Sequence, residues 1–299
     1  MTTQKKSIPA ICFGEVLWDM LPDGPQPGGA PLNVAYHLNK LGVETQMISR
    51  VGNDDKGDAL RNLLEKWHIG THMLQRDPEH GTSEVLASLS DASEVKYEIV
   101  FPVAWDFIQI DTALSSAVSD AKYFIYGTLA SRNPTSGDTL LALLESTEAI
   151  KVLDVNFRPP FVNVKILGQL LLKADVVKLN EDELRQVHQL FHGSSNSEHG
   201  QVRFIQEKFQ VSEIVVTKGA SGASYYTKND AYHGRGKPVK VNDTIGSGDS
   251  FLAAFLAAHH LALPPAEMLQ NAMDMGAFIA TKKGGCPDYE LQEFYNFKR

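Results

Sequence analysis

The chain has 299 residues, of which 43% are hydrophobic and 21% charged, and these ordinary globular values exclude a disordered or fibrous protein. Its formal net charge of −8, without any basic run, excludes the concentrated Lys and Arg footprint of a nucleic-acid-binding protein. Its two cysteines, Cys12 and Cys286, exclude a disulfide framework and a zinc site with C-x-x-C spacing.

The first quarter of the chain predicts alternating strands and helices. Residues 11–13 form a short apolar run typical of a buried strand, and residues 46–51 predict a second strand. Between them, Pro31 at the first helical position and Gly42 just past the last apolar residue bound a helix. Residues 55–67 predict another helix. This alternation indicates a parallel sheet with helices on its faces.

Two strand-like stretches interrupt the alternation. Residues 82–90 and 95–101 are joined by a short polar turn and predict a hairpin. A hairpin inserted into a parallel α/β chain must lie off the main sheet or at its edge, and such insertions often form lids. We therefore predict a single domain over residues 1–299, with a small β lid made of about residues 16–28 and 82–105.

The alternation resumes after this hairpin. The predicted strands are residues 123–126, 151–155, 176–179 and 214–217, and a second hairpin-like region begins at 223–227. The predicted helices are residues 136–144, 163–173, two stretches on either side of the polar segment 193–200, and residues 246–260 and 265–282. No segment is long and apolar enough to cross a bilayer, and the N-terminal segment lacks the apolar stretch of a signal peptide. We therefore expect a cytoplasmic protein without a membrane partner.

Residues 242–250 carry a pattern suited to phosphate chemistry. Gly246 and Gly248 flank Ser247 at the start of an apolar helix, where backbone N–H groups and the helix dipole form an anion site. Asp249 places a carboxylate in the first helical turn. Such a pair suits phosphoryl transfer, because amides stabilise the phosphoryl charge while a carboxylate accepts the proton of the attacking hydroxyl. A plain glycine-rich cap with a favourable first-turn acid is the alternative.

Four short motifs follow one another in a fixed order along the chain. They are GEVLWD at 14–19, GGAPLNVA at 28–35, VGNDDKG at 51–57 and NDTIGSGD at 242–249. Together they resemble the motifs of the PfkB (ribokinase-like) carbohydrate kinases, with serine where the last motif usually has alanine. The second motif is most similar to that of the fructokinase branch. The resemblance implies an α/β protein with a Rossmann-like ribokinase fold, in which helices flank a central, mostly parallel sheet and a small β lid is attached.

The resemblance also implies catalytic and sugar-binding residues. It makes Asp249 the general base. The residues that it assigns to the anion hole are Gly246, Ser247 and Gly248, and those that it assigns to the sugar hydroxyls are Asp19, Gly29 and Asn33. A carboxylate and an amide can pair with hydroxyls, and glycine allows the sugar to approach the backbone. Taken alone, Gly28 and Gly29 are typical of a loop before the helix, and Asn33 is typical of a polar helix position.

Arg158 lies in a segment similar to the fructokinase motif D-x-N-x-R-P. The segment covers residues 154–159 and follows a predicted strand, at the edge where open α/β sheets bind their ligands. The resemblance places Arg158 in the substrate site, where it would offset phosphate charge. Alternatively, Arg158 pairs with Asp154 in a purely structural role.

Asn180 and Glu183 follow an apolar strand and open a helix. Their spacing is that of a capping box. It is also similar to the N-x-x-E motif of the family, which implies that Glu183 helps to hold Mg²⁺ through water and that Asn180 lies near the nucleotide. Both interpretations can hold together, because a capped helix end can organise a hydrated cation.

Further nucleotide and cation contacts follow from the resemblance. Thr217, Gly219 and Gly222 are similar to the nucleotide segment T-x-G-x-x-G, for which a tight turn between strands is the alternative. Asn271 belongs to a helix that lines the adenine pocket in relatives, although two methionines replace small residues there. The resemblance also implies that Asp243 and the Ile245 carbonyl bind a monovalent cation such as K⁺, together with the loop at residues 281–285.

These observations lead to one predicted function and several alternatives. The chain is predicted to phosphorylate a primary hydroxyl of a sugar, converting fructose to fructose 6-phosphate with ATP as co-substrate and Mg²⁺ as cofactor. The alternatives are a kinase for 2-keto-3-deoxygluconate, for another sugar or for a nucleoside, and a sugar-binding regulator without catalysis. An acidic sugar would need a further cation near Asn33, and the sequence offers little besides Arg158. Exposed lid strands favour a homodimer formed through the lid.

Overall fold

The computed structural model describes residues 9–21, 24–89 and 95–299, which alternate between strands and helices along most of their length. The strands are β1 (Ala10–Phe13), β2 (Leu17–Leu21), β3 (Gly24–Gly28), β4 (Thr45–Gly52), β5 (Leu74–Asp77), β6 (Ser83–Leu89), β7 (Val95–Ile99), β8 (Tyr123–Gly127), β9 (Ile150–Asp154), β10 (Val176–Asn180), β11 (Glu213–Thr217), β12 (Ala223–Tyr226) and β13 (Ala231–Gly234). The helices are α1 (Ala30–Lys40), α2 (Asp55–Lys66), α3 (Thr112–Ser119), α4 (Pro134–Ser146), α5 (Val164–Lys173), α6 (Glu181–Leu190), α7 (Glu198–Phe209), α8 (Ser247–His260), α9 (Pro265–Ala280) and α10 (Leu291–Lys298).

Nine of these strands form a large sheet in the order β13-β12-β11-β10-β9-β8-β1-β4-β5. The strands from β5 across to β11 pair in parallel, and only β12 and β13 pair antiparallel, at one edge of the sheet. The central strands are nearly continuous apolar runs because helices cover both of their faces. The parallel strands all end at the same edge, which is where open α/β sheets form ligand crevices.

Strand β1 shows how the two faces of this sheet are covered. Ala10 and Cys12 belong to a buried cluster that includes side chains of α1, α8 and α9. Ile11 and Phe13 belong to a second cluster, built with side chains of α4 to α7. Neighbouring side chains of a strand point to opposite faces, so one short apolar run serves both clusters. The predicted layer of helices on each face of a mostly parallel sheet is confirmed.

A second, four-stranded sheet has the order β3-β2-β6-β7. β6 and β7 pair antiparallel, as predicted for the hairpin, and the predicted turn at 91–94 lies outside the described residues. β2 pairs antiparallel with β3 and parallel with β6, so two segments distant in sequence share this sheet. The register aligns Asp19, Val85 and Ile99 in one row across three strands.

The structure adds β5, α3 and α10 to the predicted elements and adjusts several ends. α1 begins at Ala30 rather than Pro31, and α9 ends at Ala280 rather than at residue 282. β5 contains a single apolar residue, and its pairing with β4 rather than its own pattern makes it a strand. Across the described ranges, none of the helices is both long enough and apolar enough to traverse a lipid bilayer.

Candidate active site

A cleft of about 960 Å³ opens between the small sheet and the edge at which the parallel strands end. Its walls include residues from six segments of the chain that the sequence analysis singles out. The residues lining it include Glu15, Asp19, Gly29, Asn33, Arg158, Lys178, Asn180, Glu183, Thr217, Ile245, Gly246, Gly248 and Asp249. A volume of this size, with polar groups from several loops, suits two small molecules bound side by side.

Asp249 occupies the first turn of α8 and is only 9% exposed. Its Oδ2 accepts a hydrogen bond from Asn33 Nδ2 at 2.7 Å. Burial raises the pKa of the Asp249 carboxyl, while the positive charges of Lys178 and Arg158 oppose this rise. A carboxylate with a raised pKa is a stronger proton acceptor, which suits a general base.

Asn33 is held in this orientation from its other side. Cys286 Sγ donates to Asn33 Oδ1 at 3.2 Å, so the amide presents its NH₂ group to Asp249. Burial raises the pKa of the Cys286 thiol, which therefore keeps the proton that it donates. The cysteine lies 253 positions from Asn33, and no local motif signals this contact.

Gly246 forms the turn that leads into α8 and could not be replaced there by a residue with a side chain. Its φ of +72° lies in the left-handed region, which favours glycine. A Cβ added to Gly246 would lie 2.5 Å from the Cα of Gly285 in the neighbouring loop. Both the backbone conformation and the close approach of the two loops therefore require glycine.

We expect the Gly246→Ala substitution to reduce kcat by about 100-fold or more, because displacing the turn by a fraction of an ångström moves the amides that face the cleft. Steady-state kinetics would measure this loss. Gly42→Ala is the matched control, since Gly42 has a φ of +84° but open space around an added Cβ. The control should lose stability through backbone strain and keep its turnover. A Gly246→Ala enzyme with the kcat of the wild type would contradict this role.

The amides at the start of α8 differ from the predicted anion hole in one member. The Ser247 amide donates to the Thr244 carbonyl at 3.2 Å, and its Oγ donates to the Gly276 carbonyl at 2.9 Å. Ser247 is thus bound to its own turn and to α9. Among the hydrogen bonds of the described residues, the amides of Gly246, Gly248 and Asp249 have no acceptor. The amides of Gly248 and Asp249, in the first turn of α8, are free to bind an anion at the positive end of the helix dipole.

Asp19 projects from β2 into the cleft. Burial raises its pKa to about 6, and Arg158 across the cleft partly opposes this rise. A Cβ on Gly28 of the adjacent strand β3 would collide with the Asp19 carboxylate. The first glycine of the GGAP motif thus makes room for the carboxylate.

Glu15 lines the same part of the cleft, although the sequence motif alone did not assign it a role. Its Oε1 accepts from the Ala30 amide at 3.2 Å, while its Oε2 has no partner among the described residues. Burial raises the pKa of this carboxyl to about 7. Gly29 packs directly on Glu15, since its φ is +110° and an added Cβ would collide with the Glu15 carbonyl.

Arg158 lines the cleft and is exposed, and it does not pair with Asp154. Its Nη1 donates to the neighbouring Phe157 carbonyl at 3.2 Å. The partner of Asp154 is Lys178, whose Nζ lies 2.8 Å from Asp154 Oδ2. The structural alternative predicted for Arg158 is therefore wrong, because an adjacent strand supplies a closer cation.

Asn180 and Glu183 form the predicted capping box. Asn180 Oδ1 accepts from the Glu183 amide at 2.9 Å, and Glu183 Oε2 accepts from the Asn180 amide at 2.9 Å. Glu183 Oε1 also accepts from the Phe157 amide at 2.9 Å, which joins the ends of β9 and β10. Burial raises the pKa of the Glu183 carboxyl.

The Glu183 carboxylate suits a Mg²⁺ ion that is bound through water. Nowhere among the described residues do three or more His, Cys, Asp or Glu side chains group closely enough to enclose a metal. Mg²⁺ commonly keeps several of its waters and takes its other ligands from phosphates. Glu183 lines the cleft while backbone amides already hold both of its oxygens, so its remaining lone pairs can accept such waters.

The predicted nucleotide residues are only partly brought to the cleft. Thr217, at the end of β11, lines it, whereas Gly219 and Gly222 lie in the following turn and are not among its lining residues. Gly222 has a φ of +106°, and an added Cβ would collide with the Gly234 carbonyl. The tight turn accounts for this glycine without a ligand.

Asn271 does not reach the cleft. Its Nδ2 donates to the Glu267 carbonyl at 2.8 Å within α9, and its Oδ1 accepts from Lys298 of α10. Met273 packs against Gly234, and Met275 is fully buried in the core. The Lys298 contact explains the position of the Asn271 side chain.

The Asp243 carboxylate connects the two loops that were predicted to hold a monovalent cation. Its Oδ1 accepts from the Ile245 amide at 3.0 Å, and its Oδ2 accepts from the Gly284 amide at 2.9 Å. The two loops are thereby fixed side by side next to the Gly246 turn. Their carbonyl groups are the ligands that a cation would use there.

Comparisons with known proteins agree with this fold. The family model described as pfkB family carbohydrate kinase matches residues 24–291. A fructokinase of Salmonella typhimurium is 28% identical over 95% of this chain and 97% of its own length. A Vibrio cholerae fructokinase solved with fructose, ADP and calcium has a TM-score of 0.80 and 27% identity, covering 98% of this chain and 99% of its own. An ATP-bound Xylella fastidiosa fructokinase shares the fold, with a TM-score of 0.84 at 24% identity over 97% and 98% of the two chains. The chain belongs to the pfkB family of carbohydrate kinases.

Proposed function

We propose that this sugar kinase transfers the γ-phosphoryl group of ATP to O6 of fructose, giving fructose 6-phosphate and ADP. The observation that carries the proposal is the buried Asp249 carboxylate beside the free amides of Gly248 and of Asp249 itself. Fructokinase relatives that match nearly the whole chain support fructose as the acceptor.

In the proposed reaction, Asp249 removes the proton of the sugar hydroxyl as its oxygen attacks the γ-phosphorus in line. The amides of Gly248 and Asp249 stabilise the charge on the phosphoryl oxygens. Asp19 and the backbone at Gly29 would bind other hydroxyls of the sugar and hold O6 against the base. Asn33 would exchange part of its contact with Asp249 for a sugar hydroxyl. Positioning and electrostatic stabilisation supply most of the rate, as in other phosphoryl transfers.

The charges around the sugar part of the cleft favour a neutral substrate. Glu15, Asp19 and Asp249 place three carboxyl groups there, and Arg158 is the exposed cation among the residues lining the cleft. An acidic sugar such as 2-keto-3-deoxygluconate would bring a further negative charge against these groups. A fructose molecule meets them with hydroxyls, which both donate and accept hydrogen bonds.

The proposal assigns the remaining predicted groups to the nucleotide and its ions. Mg²⁺, when bound, neutralises charge on the β- and γ-phosphates, and Glu183 with Asn180 would hold its water ligands. The carbonyls of Asp243 and Ile245 would hold a monovalent cation beside the anion site. The small sheet would act as the lid that excludes water from the bound sugar.

A coupled assay of ADP release tests the proposal. We expect kcat/KM for fructose to exceed that for glucose, ribose, 2-keto-3-deoxygluconate and adenosine by at least about tenfold, because differential transition-state binding sets specificity. ADP release without sugar should stay near the background. If kcat/KM were highest for another acceptor, that acceptor and not fructose would be the substrate. If none of these acceptors caused ADP release while calorimetry still detected sugar binding, the protein would be a sugar-binding regulator without catalysis.

A further inference from the structure

Lys178 is a buried cation to which the reaction above assigns no role. It lies on β10 between apolar residues and is 6% exposed. Moving an ammonium group and its partner out of water costs several kcal/mol per ion, so a buried ion pair is weak evidence for a stabilising role. A core strand that serves packing alone would carry a valine or leucine at this position.

Asp154 holds the Lys178 ammonium in a fixed position. The two residues face each other in the register of β9 and β10, and Nζ lies 3.0 Å from Oδ1 and 2.8 Å from Oδ2. Burial alone would lower the pKa of Lys178, but the carboxylates of Asp154 and Asp249 hold it above its ordinary value. An ammonium has three N–H groups, and Asp154 accepts two of them. The third has no acceptor among the described contacts.

The ammonium lies beside the turn that carries the free amides. A Cβ built on Gly248 would be 3.1 Å from Lys178 Nζ. Lys178, Gly248 and Asp249 all line the cleft. A full positive charge is therefore held next to the proposed anion site, where burial reduces its screening by water.

We propose that Lys178 is a further catalytic residue, whose third N–H donates to an oxygen of the transferring phosphoryl group. The proposal rests on the function proposed above. As the bond from O6 to phosphorus forms and the bond from phosphorus to the ADP oxygen breaks, the O6 proton passes to Asp249. Lys178 keeps its own proton throughout and stabilises the negative charge of the phosphoryl oxygens, in addition to the backbone amides.

Lys178→Met tests this role with a neutral side chain of similar length. We expect kcat to fall by about 100-fold, the usual effect of removing one donor to a developing negative charge. The affinity for fructose, measured by calorimetry, should stay within about threefold. The affinity for ADP with aluminium fluoride, which imitates the transferring group, should weaken by about 100-fold, while that for ADP alone should change little. Lys173→Met is the control, since Lys173 pairs with Glu145 on the surface and is 37% exposed.

A double variant separates this role from simple neutralisation of Asp154. Lys178→Met alone leaves the Asp154 carboxylate buried without a partner, which by itself can perturb the site or the folding. Asp154→Asn combined with Lys178→Met removes both charges. If Lys178 acts on the phosphoryl group, the double variant stays about 100-fold slow and still fails to bind ADP with aluminium fluoride tightly. Recovery of kcat to within about threefold of the wild type would overturn the proposal. An inactive wild type would instead overturn the proposed function.

Discussion

Replacing Asp249 by asparagine is expected to reduce kcat by about 10²- to 10⁴-fold, the usual contribution of a general base. Asparagine keeps the size of the side chain and can still face Asn33, but it cannot accept the proton of the attacking hydroxyl. The affinity for the sugar should therefore remain close to that of the wild type. Stopped-flow or steady-state assays of ADP release, together with calorimetric titration of fructose, measure the two quantities separately.

The matched control for this substitution is Asp274→Asn. Asp274 is also a buried aspartate, 6% exposed, but it lies in α9 and accepts from Gln270 Nε2 at 3.1 Å. We expect this variant to keep the turnover of the wild type. If Asp249→Asn retained wild-type kcat, or if both variants lost activity equally, Asp249 would not be the base.

The largest loss of stability is expected from Asp106→Asn, at about 3 kcal/mol. Asp106 is completely buried and accepts from Arg132 Nε at 2.7 Å and from Arg132 Nη2 at 2.8 Å. The Arg132 guanidinium lies over the rings of Phe101, Trp105 and Phe161, with its Cζ 4.0–4.9 Å from their centroids. The substitution leaves this charge buried without its carboxylate. Urea denaturation followed by circular dichroism gives the free energy of unfolding.

An exposed ion pair provides the comparison for this measurement. Asp182 pairs with Arg185, and its side chain is 77% exposed. Asp182→Asn should change the free energy of unfolding by no more than about 0.5 kcal/mol, because water already solvates both charges. If both substitutions changed the free energy of unfolding equally, burial would not increase the contribution of the Asp106–Arg132 pair to stability.

The sequence was sufficient to predict the layers of the fold, and most of the predicted site residues line the cleft. Apolar runs buried on two faces, with helical spacing between them, indicate a parallel sheet, and parallel strands end at one edge. Asn180 and Thr217 therefore had to lie at the same edge of the sheet, since each ends such a strand. The capping box of Asn180 and Glu183 is equally local, because both residues lie in one helical turn.

Contacts between distant segments were beyond the reach of sequence patterns. The Cys286–Asn33 hydrogen bond joins residues 253 positions apart, and neither residue carries a local signal of the other. A lysine within an apolar strand was visible at position 178, but only the strand register identifies Asp154 as its partner. The Ser247 amide was predicted to face an anion, whereas the geometry of the turn directs it to Thr244. Strand order and turn geometry decide such contacts.

The hydrogen bonds around Asn33 have a consequence for biosynthesis. Asn33 joins Asp249, 216 residues later, and Cys286, 253 residues later. A nascent chain that has exposed only its first two hundred residues can form much of the parallel sheet, yet it lacks Asp249, the turn at Gly246 and the loop that supports them. Contacts of such long sequence separation form slowly. Phosphoryl transfer is therefore expected only after the chain from Asn33 to Cys286 has folded, and a chain released from the ribosome before that point would be catalytically silent.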